Sequence, residues 1–290
     1  MAAQYSRCAR ASDSFAGPLV EASGIAHSPL HPLVVFDTAC GTGVIGSTLY
    51  GTLPREKTRN WELLCGDMSP HMLAYTEQRV KDEGWTNVEA RIIDAQDTKL
   101  PSGRYTHVFA AFAFNLFSDP QAGLREALRV LQPKGTLAIS VWKEGTDPSA
   151  LHPQDTLLTT VSGNWFPITR AAIATLPGNL PYPSQTELNS IYNSGWDDPE
   201  RIAEFLAEAG FTDIDVTTGD KKIAMPLDDL AEACLMVNPI ILGRFWTQEQ
   251  RDQYAHLVPG VVKRYIESLF GKEGTGYLEA TAIIAVARKG

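Results

Sequence analysis

The chain has 290 residues of which 44% are hydrophobic, enough to bury a sizeable core as one large domain or one domain carrying an inserted cap. Its 25 Lys and Arg against 34 Asp and Glu give a net charge of -9, and no basic cluster offsets it, which argues against nucleic acid as a partner. No run is long and apolar enough to cross a bilayer, and residues 1–10 have too little apolar length for a secretory signal.

Residues 1–30 hold Tyr5, Arg10 and an amphipathic pattern through Phe15, Leu19, Val20 and Ile25 that reads as a helical lid. Next comes the most telling stretch, a short apolar strand (Val34, Val35, Phe36) that ends in Asp37 and runs through Thr38-Ala39-Cys40-Gly41-Thr42-Gly43 to Gly46. A cofactor lying against a strand-to-helix turn needs residues without a β-carbon, and Gly41, Gly43 and Gly46 meet that need. A second apolar strand, Trp61 to Gly66, ends in Asp67, at the distance of roughly 20 residues past the glycines where a ribose-binding carboxylate stands in such folds. Ser69 followed by Pro70 is a helix start, with Ser as the cap and Pro in the first turn. A third strand, Ala90 to Ile93, ends in Asp94 and a polar loop; Tyr105 to Pro120 carries a fourth strand; a helix is expected from Gln121 to about Leu131, stopped by Pro133 and Gly135; Thr136 to Trp142 reads as a fifth strand. Strands alternating with helices predict a parallel sheet with its ligand beyond the carboxyl ends of the strands.

These motifs, acid-x-Ala-Cys-Gly-Thr-Gly, Gly-Asp-Met-Ser-Pro-x-Met-Leu, Asp-Ala-x-Asp-x-x-Leu-Pro and Arg-Val-Leu-x-Pro-x-Gly, resemble those of the class I S-adenosylmethionine-dependent methyltransferases in kind and order. The resemblance covers about residues 30 to 145 closely. It implies an α/β, Rossmann-like seven-stranded fold, S-adenosyl-L-methionine as cofactor, and strands six and seven near Asp213–Thr218 and Ala280–Ala287. By resemblance, Asp37, Ala39, Gly41 and Gly43 surround the amino-acid part of the cofactor, whose positive charges suit an anion at Asp37. Asp67 would accept from the ribose, Met68 pack on the adenine, Asp94 and Ala95 meet the adenine edge, and Ala111 and Phe112 make backbone contacts. Tyr5 and Arg10 are lid candidates for the same site. Many relatives carry histidines where this chain has Asn115 and Leu116, so no catalytic residue is assigned; Asn115 is instead a candidate acceptor contact. The Asp-x-Ala-Cys-Gly-x-Gly form and the short N-terminal arm are most similar to fungal natural-product methyltransferases, including dithiol S-methyltransferases. That likeness implies a small-molecule acceptor, a secondary metabolite methylated on S, O or N. The alternative is a methyltransferase-like scaffold that binds the cofactor without transferring methyl, such as a pericyclase or regulator.

The domain layout expected is one methyltransferase domain, with 1–30 as N-terminal lid, 31–142 as cofactor-binding core, 143–198 as inserted cap and 199–290 as the rest of the sheet with helical cap elements. The segment 143–198 is rich in Pro, Gly and Asn and carries Trp165, Phe166, Tyr182, Tyr192 and Trp196, an aromatic cap over an apolar pocket. Trp142, His152, Trp165 and Phe166 are the candidate acceptor contacts there. A helix from Pro199 to Gly210 is expected to turn Ile202, Phe205 and Leu206 to one face, and Leu227 to Leu269 reads as amphipathic helix that completes the cap or makes a subunit contact. Cys8, Cys40, Cys65 and Cys234 show neither metal-ligand nor redox spacing and read as reduced structural thiols of a cytoplasmic protein. His71 and His107 read as structural. No metal is expected, and the oligomeric state stays open.

Overall fold

The computed structural model describes residues 10–143, 165–184, 186–188 and 195–290. After one helical turn at Arg10–Asp13 come α1 (Ala16–Ala22), β1 (Val34–Thr38), α2 (Val44–Thr52), β2 (Glu62–Asp67), α3 (Pro70–Asp82), β3 (Val88–Ile92), β4 (Tyr105–Ala111), α4 (Pro120–Val130) and β5 (Leu131–Lys143). Then follow α5 (Trp165–Ile173), α6 (Pro199–Glu208), β6 (Phe211–Met225), α7 (Leu227–Leu235), α8 (Asn238–Phe245), α9 (Gln248–Tyr254), α10 (Val258–Phe270) and β7 (Gly276–Lys289).

The strands form one seven-stranded sheet in the order β3-β2-β1-β4-β5-β7-β6. β1 to β5 are parallel, as expected, but β7 runs antiparallel to both β5 and β6, so the sheet is mixed. The central strands are buried on both faces, which is why they read as continuous apolar runs. Over one face, Phe36, Leu64, Val108 and Ile139 pack with Leu124 and Val130 of α4 and Ile202 and Leu206 of α6. Over the other, Val35, Leu63, Cys65 and Phe109 pack with Leu19 of α1, Ile45 and Leu49 of α2 and Leu73 of α3.

Helix starts follow the local chemistry. Ser69 Oγ accepts from the Met72 amide, Asp119 from Ala122 and Asp198 from Glu200, each cap followed directly by a proline. Thr247 and Gln250 form a reciprocal capping box at α9.

β6 and β7 are longer than the sequence suggested. The ladder that pairs Lys143 with Thr281 leaves β7 residues 276–280 extending past the end of β5, still paired with β6 up to Met225. This ribbon projects beyond the carboxyl ends of the parallel strands. At its tip Met225 and Leu278 join a second core made with Ile168 and Ile173 of α5, Leu230 and Cys234 of α7, Leu242 of α8 and Val262 and Ile266 of α10. The Leu227–Leu269 stretch is thus four helices that share this second core with α5. Trp196, expected in the cap, instead lies 2% exposed in the main core, its ring 4.9 Å from that of Phe114. Its large apolar ring is better buried under the sheet, beside Phe205 of α6.

Candidate functional site

The site is built where β1 and β2 end. Ala39 and Gly41 adopt positive φ of 51° and 54°, turning the chain sharply after β1. The Gly41 amide donates to Asp67 Oδ2 at 2.9 Å and Thr76 Oγ1 of α3 donates to the Gly41 carbonyl at 2.9 Å. Arg79 Nη1 donates to the Thr42 carbonyl at 3.0 Å, so α3 fixes the turn from below. The three glycines do different work. A β-carbon at Gly41 would meet nothing within 4 Å, one at Gly43 would press on Thr76 at 3.1 Å, and one at Gly46 would fall 2.6 Å from the Trp85 ring. Gly46 thus serves helix packing and not ligand approach, a correction to its reading above.

Asp37, one residue before the end of β1, is 1% exposed, and neither carboxylate oxygen has a hydrogen-bond partner. Burial first, and the neighbouring Asp67 second, push its carboxyl well above the usual range. Asp67 is differently placed. Its Oδ2 holds Gly41 and its Oδ1 accepts from the Ser69 amide at 2.8 Å, so it braces the turn while each oxygen keeps a lone pair for another donor. Met68 is 63% exposed, which removes the interior space-filling role that competed with a ligand contact. Asp94 Oδ1 accepts from Gln96 N at 2.9 Å and Ala95 is buried behind it. Gln96 Oε1 in turn accepts from Ser118 Oγ and the Asp119 amide, tying this loop to the start of α4.

At the ends of β4 and β5 stands an aromatic wall. The Phe112 and Trp142 rings stack at 4.0 Å, and Phe15 meets both edge-on at 6.0 and 5.9 Å. Phe112 has φ of 53°, a left-handed conformation that a bulky residue adopts only when its surroundings enforce it; here its amide donates to the Ser140 carbonyl at 2.8 Å. Lys221 Nζ of β6 lies 5.6 Å over the Phe15 ring and donates to the Ser14 carbonyl at 2.6 Å, clamping the N-terminal segment onto the ribbon. Beside this wall, Asn115 Oδ1 is buried without a partner, and Ser140 Oγ on β5 is likewise buried without one.

Of the sequence-predicted residues, Asp37, Ala39, Gly41, Gly43, Asp67 and Met68 share the β1–β2 end, Asp94 and Ala95 the next loop, and Ala111, Phe112, Asn115 and Trp142 the β4–β5 end. Phe166 does not line a pocket. It is 1% exposed inside the cap against Leu188 and Ile241, because a phenyl ring on a helix that faces α8 is worth more buried than open. Trp165 packs edge-on against it at 5.6 Å. Tyr5, His152, Tyr192 and the side chain of Arg10 lie outside the described residues. His107 is structural as expected, its pKa pushed down to about 4 mainly by burial. His71 instead sits exposed on α3.

Sequence reasoning missed Ser140 and Asp13. Ser140 is hidden in a uniformly apolar strand. Asp13 titrates at about 6, raised by burial and only partly relieved by Arg79, a placement that no spacing rule reveals. A large cleft of about 820 Å³ lies at the opposite, amino ends of β1 to β3 among Arg59, Glu62, Glu89 and Arg104. None of the residues above lines it.

A family model described as a methyltransferase domain matches residues 35–135. Over 286 residues the chain is 46% identical to the Aspergillus fumigatus protein named methyltransferase tpcH, covering 99% of this chain and 95% of that one. It is 43% identical to methyltransferase ktnA of Aspergillus niger (99% and 95% covered) and 38% identical to the acetylaranotin bis-thiomethyltransferase of Aspergillus terreus (95% and 89%). Among solved structures the fold is similar to phosphoethanolamine N-methyltransferase 2 of Haemonchus contortus in complex with S-adenosylhomocysteine, at TM-score 0.51, 16% identity and 94% and 52% coverage. It is also similar to the [4+2]-cyclase SpnF, at TM-score 0.52, 18% identity and 96% and 81% coverage. Likeness at that identity speaks for the fold alone. The near full-length similarity to the fungal proteins goes further: the chain belongs to the class I S-adenosylmethionine-dependent methyltransferases, enzymes that move a methyl group from that cofactor to small molecules.

Proposed function

We propose that the chain methylates a secondary metabolite of apolar, partly aromatic body, on a thiol, hydroxyl or amine. The observation that carries the placement of the cofactor is Asp37, a buried carboxylate with two unpartnered oxygens beside a turn that Gly41 leaves open. A buried anion without partners is costly, and a cationic ligand group relieves it. The residues fit the cofactor on that ground: Asp37 faces its positive amino-acid end, Gly41 gives it room while Gly43 lets the turn pack on Thr76, Asp67 accepts from its ribose, and Met68, Asp94 and Ala95 flank its base. Bound there, S-adenosylmethionine supplies a methyl group on a positively charged sulfur, a leaving group that needs no further activation.

The chain's own task is then alignment and exclusion of water. Phe112 and Trp142, roofed by Phe15, form the apolar wall for the acceptor's body, and Asn115 Oδ1 accepts the hydrogen of its reacting group. Asn115 holds the neutral group by that hydrogen and cannot take the proton up, which suits an acceptor acidic enough to lose it to solvent before transfer, as a thiol is. The name of the Aspergillus terreus relative, a bis-thiomethyltransferase, favours the thiol among the three.

No described helix is long and apolar enough to cross a membrane. The free, buried thiols of Cys40, Cys65 and Cys234 fit a reducing, cytoplasmic setting, and the net charge of -9 fits a partner that is not nucleic acid. The cap and lid boundaries proposed are the β6–β7 ribbon with α5 and α7 to α10, and the segment before β1.

The test is isothermal titration of the purified chain with S-adenosylmethionine and S-adenosylhomocysteine, then mass spectrometry of thiol, phenol and amine metabolites incubated with it. Binding with a gain of one methyl mass on the thiols supports the reading. Binding with transfer to none of the panel favours the non-transferring scaffold, and no binding removes the cofactor placement.

A further inference from the structure

Asp37, Cys40 and Cys65 are scattered in the sequence, yet one donor atom from each lies within 4.8 Å of the other two, and all three residues are buried. The fold explains the convergence. Asp37 and Cys65 are register partners on neighbouring parallel strands, so their side chains leave the same face of the sheet. Cys40 is drawn in from the turn by its amide, which donates to the Gly66 carbonyl at 3.0 Å. The second observation is independent of that clustering: both Asp37 oxygens are buried and lack any donor.

We propose that Asp37, Cys40 and Cys65 form a site for one thiophilic divalent cation of the zinc class, and that this ion and the cofactor exclude each other. One carboxylate oxygen with two sulfurs is a donor set for zinc or cadmium, not for magnesium or calcium, which select oxygen alone. In a tetrahedral zinc site, Zn–S of about 2.3 Å and Zn–O of about 2.1 Å set the donors ~3.7 Å apart, so this set closes by about 1 Å or less. Binding replaces the two thiol protons, and the proton on Asp37 wherever its raised carboxyl holds one, with the ion; the protons leave to solvent and the Asp37 carboxylate gains the counter-charge it lacks. The exclusion follows because the ion occupies the carboxylate assigned above to the cofactor's cationic end, and this part rests on that assignment.

The metal-free full-length chain is titrated with Cd2+, followed by the ultraviolet thiolate-to-cadmium absorption and by native mass spectrometry. The result expected is one ion per chain, with the absorption lost in Cys40→Ala and in Cys65→Ala and kept in Cys234→Ala. Asp37→Asn should bind at least about tenfold more weakly, as loss of even an outer partner of a metal site costs that much. Circular dichroism checks each fold, and Cys40→Ala, in the turn and not in a strand, carries the test if Cys65→Ala folds poorly. Absorption that persists in both cysteine variants, or an affinity no higher than that of the Cys40→Ala, Cys65→Ala double variant, overturns the site. Zn2+ should displace the Cd2+. S-adenosylhomocysteine titrated into the ion-loaded chain should bind at least about tenfold more weakly than into the metal-free chain, and equal affinity overturns the exclusion. Failure of the metal-free chain to bind S-adenosylhomocysteine counts against the cofactor placement and with it the exclusion, while the Cd2+ stoichiometry still decides the site.

Discussion

The amide of Gly41 and the Oδ2 of Asp67, 2.9 Å apart, join the turn after β1 to the end of β2. Asp67 is therefore both a proposed ligand and a brace. Replacing it with Ala should weaken S-adenosylhomocysteine binding by about 1.5–3 kcal/mol, the range for a hydrogen bond to a charged group, and should lower the melting temperature as well. Asp67→Asn keeps an oxygen for the Gly41 or Ser69 amide and should recover stability more than affinity. Calorimetric titration beside thermal unfolding separates the two effects, and unchanged affinity in Asp67→Ala would remove the ribose assignment.

Two glycines of α2 offer a contrast within one helix. Gly46→Ala places a methyl 2.6 Å from the Trp85 ring, while at Gly51 nothing lies within 4 Å. The first change should destabilise by about 1–3 kcal/mol through overpacking, and the second should stabilise by up to about 1 kcal/mol through helix propensity and a less flexible unfolded chain. Urea unfolding of both variants checks the difference, and equal midpoints would refute the packing role of Gly46.

Asp13 and Glu126 should give opposite pH slopes. Burial raises the Asp13 pKa from 3.8 to about 6, so the folded chain binds this proton more tightly than the unfolded one. Its contribution to stability is complete below the ordinary value and is lost as the pH rises through about 6. Asp13→Asn should flatten the stability profile between those limits.

Glu126 is the reverse. Arg129, then the Thr98 hydroxyl and amide, hold it down to about 2 against the cost of burial, with Thr98 Oγ1 donating at 2.6 Å and Arg129 Nε at 2.7 Å. Its contribution is present above 4.5 and lost as the pH falls through about 2, so Glu126→Gln should lose stability at neutral pH and little in strong acid. Thermal melts across the pH range read both slopes.

Trp142→Ala tests the acceptor wall. It should lower kcat/KM for the acceptor by about tenfold or more, the loss of a large stacked ring, while S-adenosylhomocysteine affinity changes little. A matching fall in cofactor affinity would show that the ring supports the turn and not the acceptor.

The turn after β1 and the strand ends around it were legible because their constraints are local. A tight turn needs glycine, a strand buried on both faces needs an apolar run, and Ser69-Pro70 starts a helix with its own side chain. Boundaries such as Gln121 for Pro120 shifted by a residue. The antiparallel course of β7 was not legible, since residues 226–275 with four helices separate it from β6 and no period records direction. β6 was read short because its outer half, Gly219-Asp220-Lys221-Lys222, looks like a turn; as an edge strand it tolerates those polar residues. Trp165, Phe166 and Trp196 show the limit on the acceptor side, where an aromatic residue looks the same in sequence whether it lines a pocket or fills a core.

The β6–β7 ribbon runs unbroken from the sheet into the cap, so the roof of the site and the floor that holds Asp37 share one continuous set of backbone bonds. The ladder continues through β5 and β4 to β1, which places the ribbon tip at Met225 and Leu278 and the strand carrying Asp37 in one sheet. With the segment before β1 as the proposed lid, the bond from Lys221 to Ser14 fastens that lid to the same ribbon.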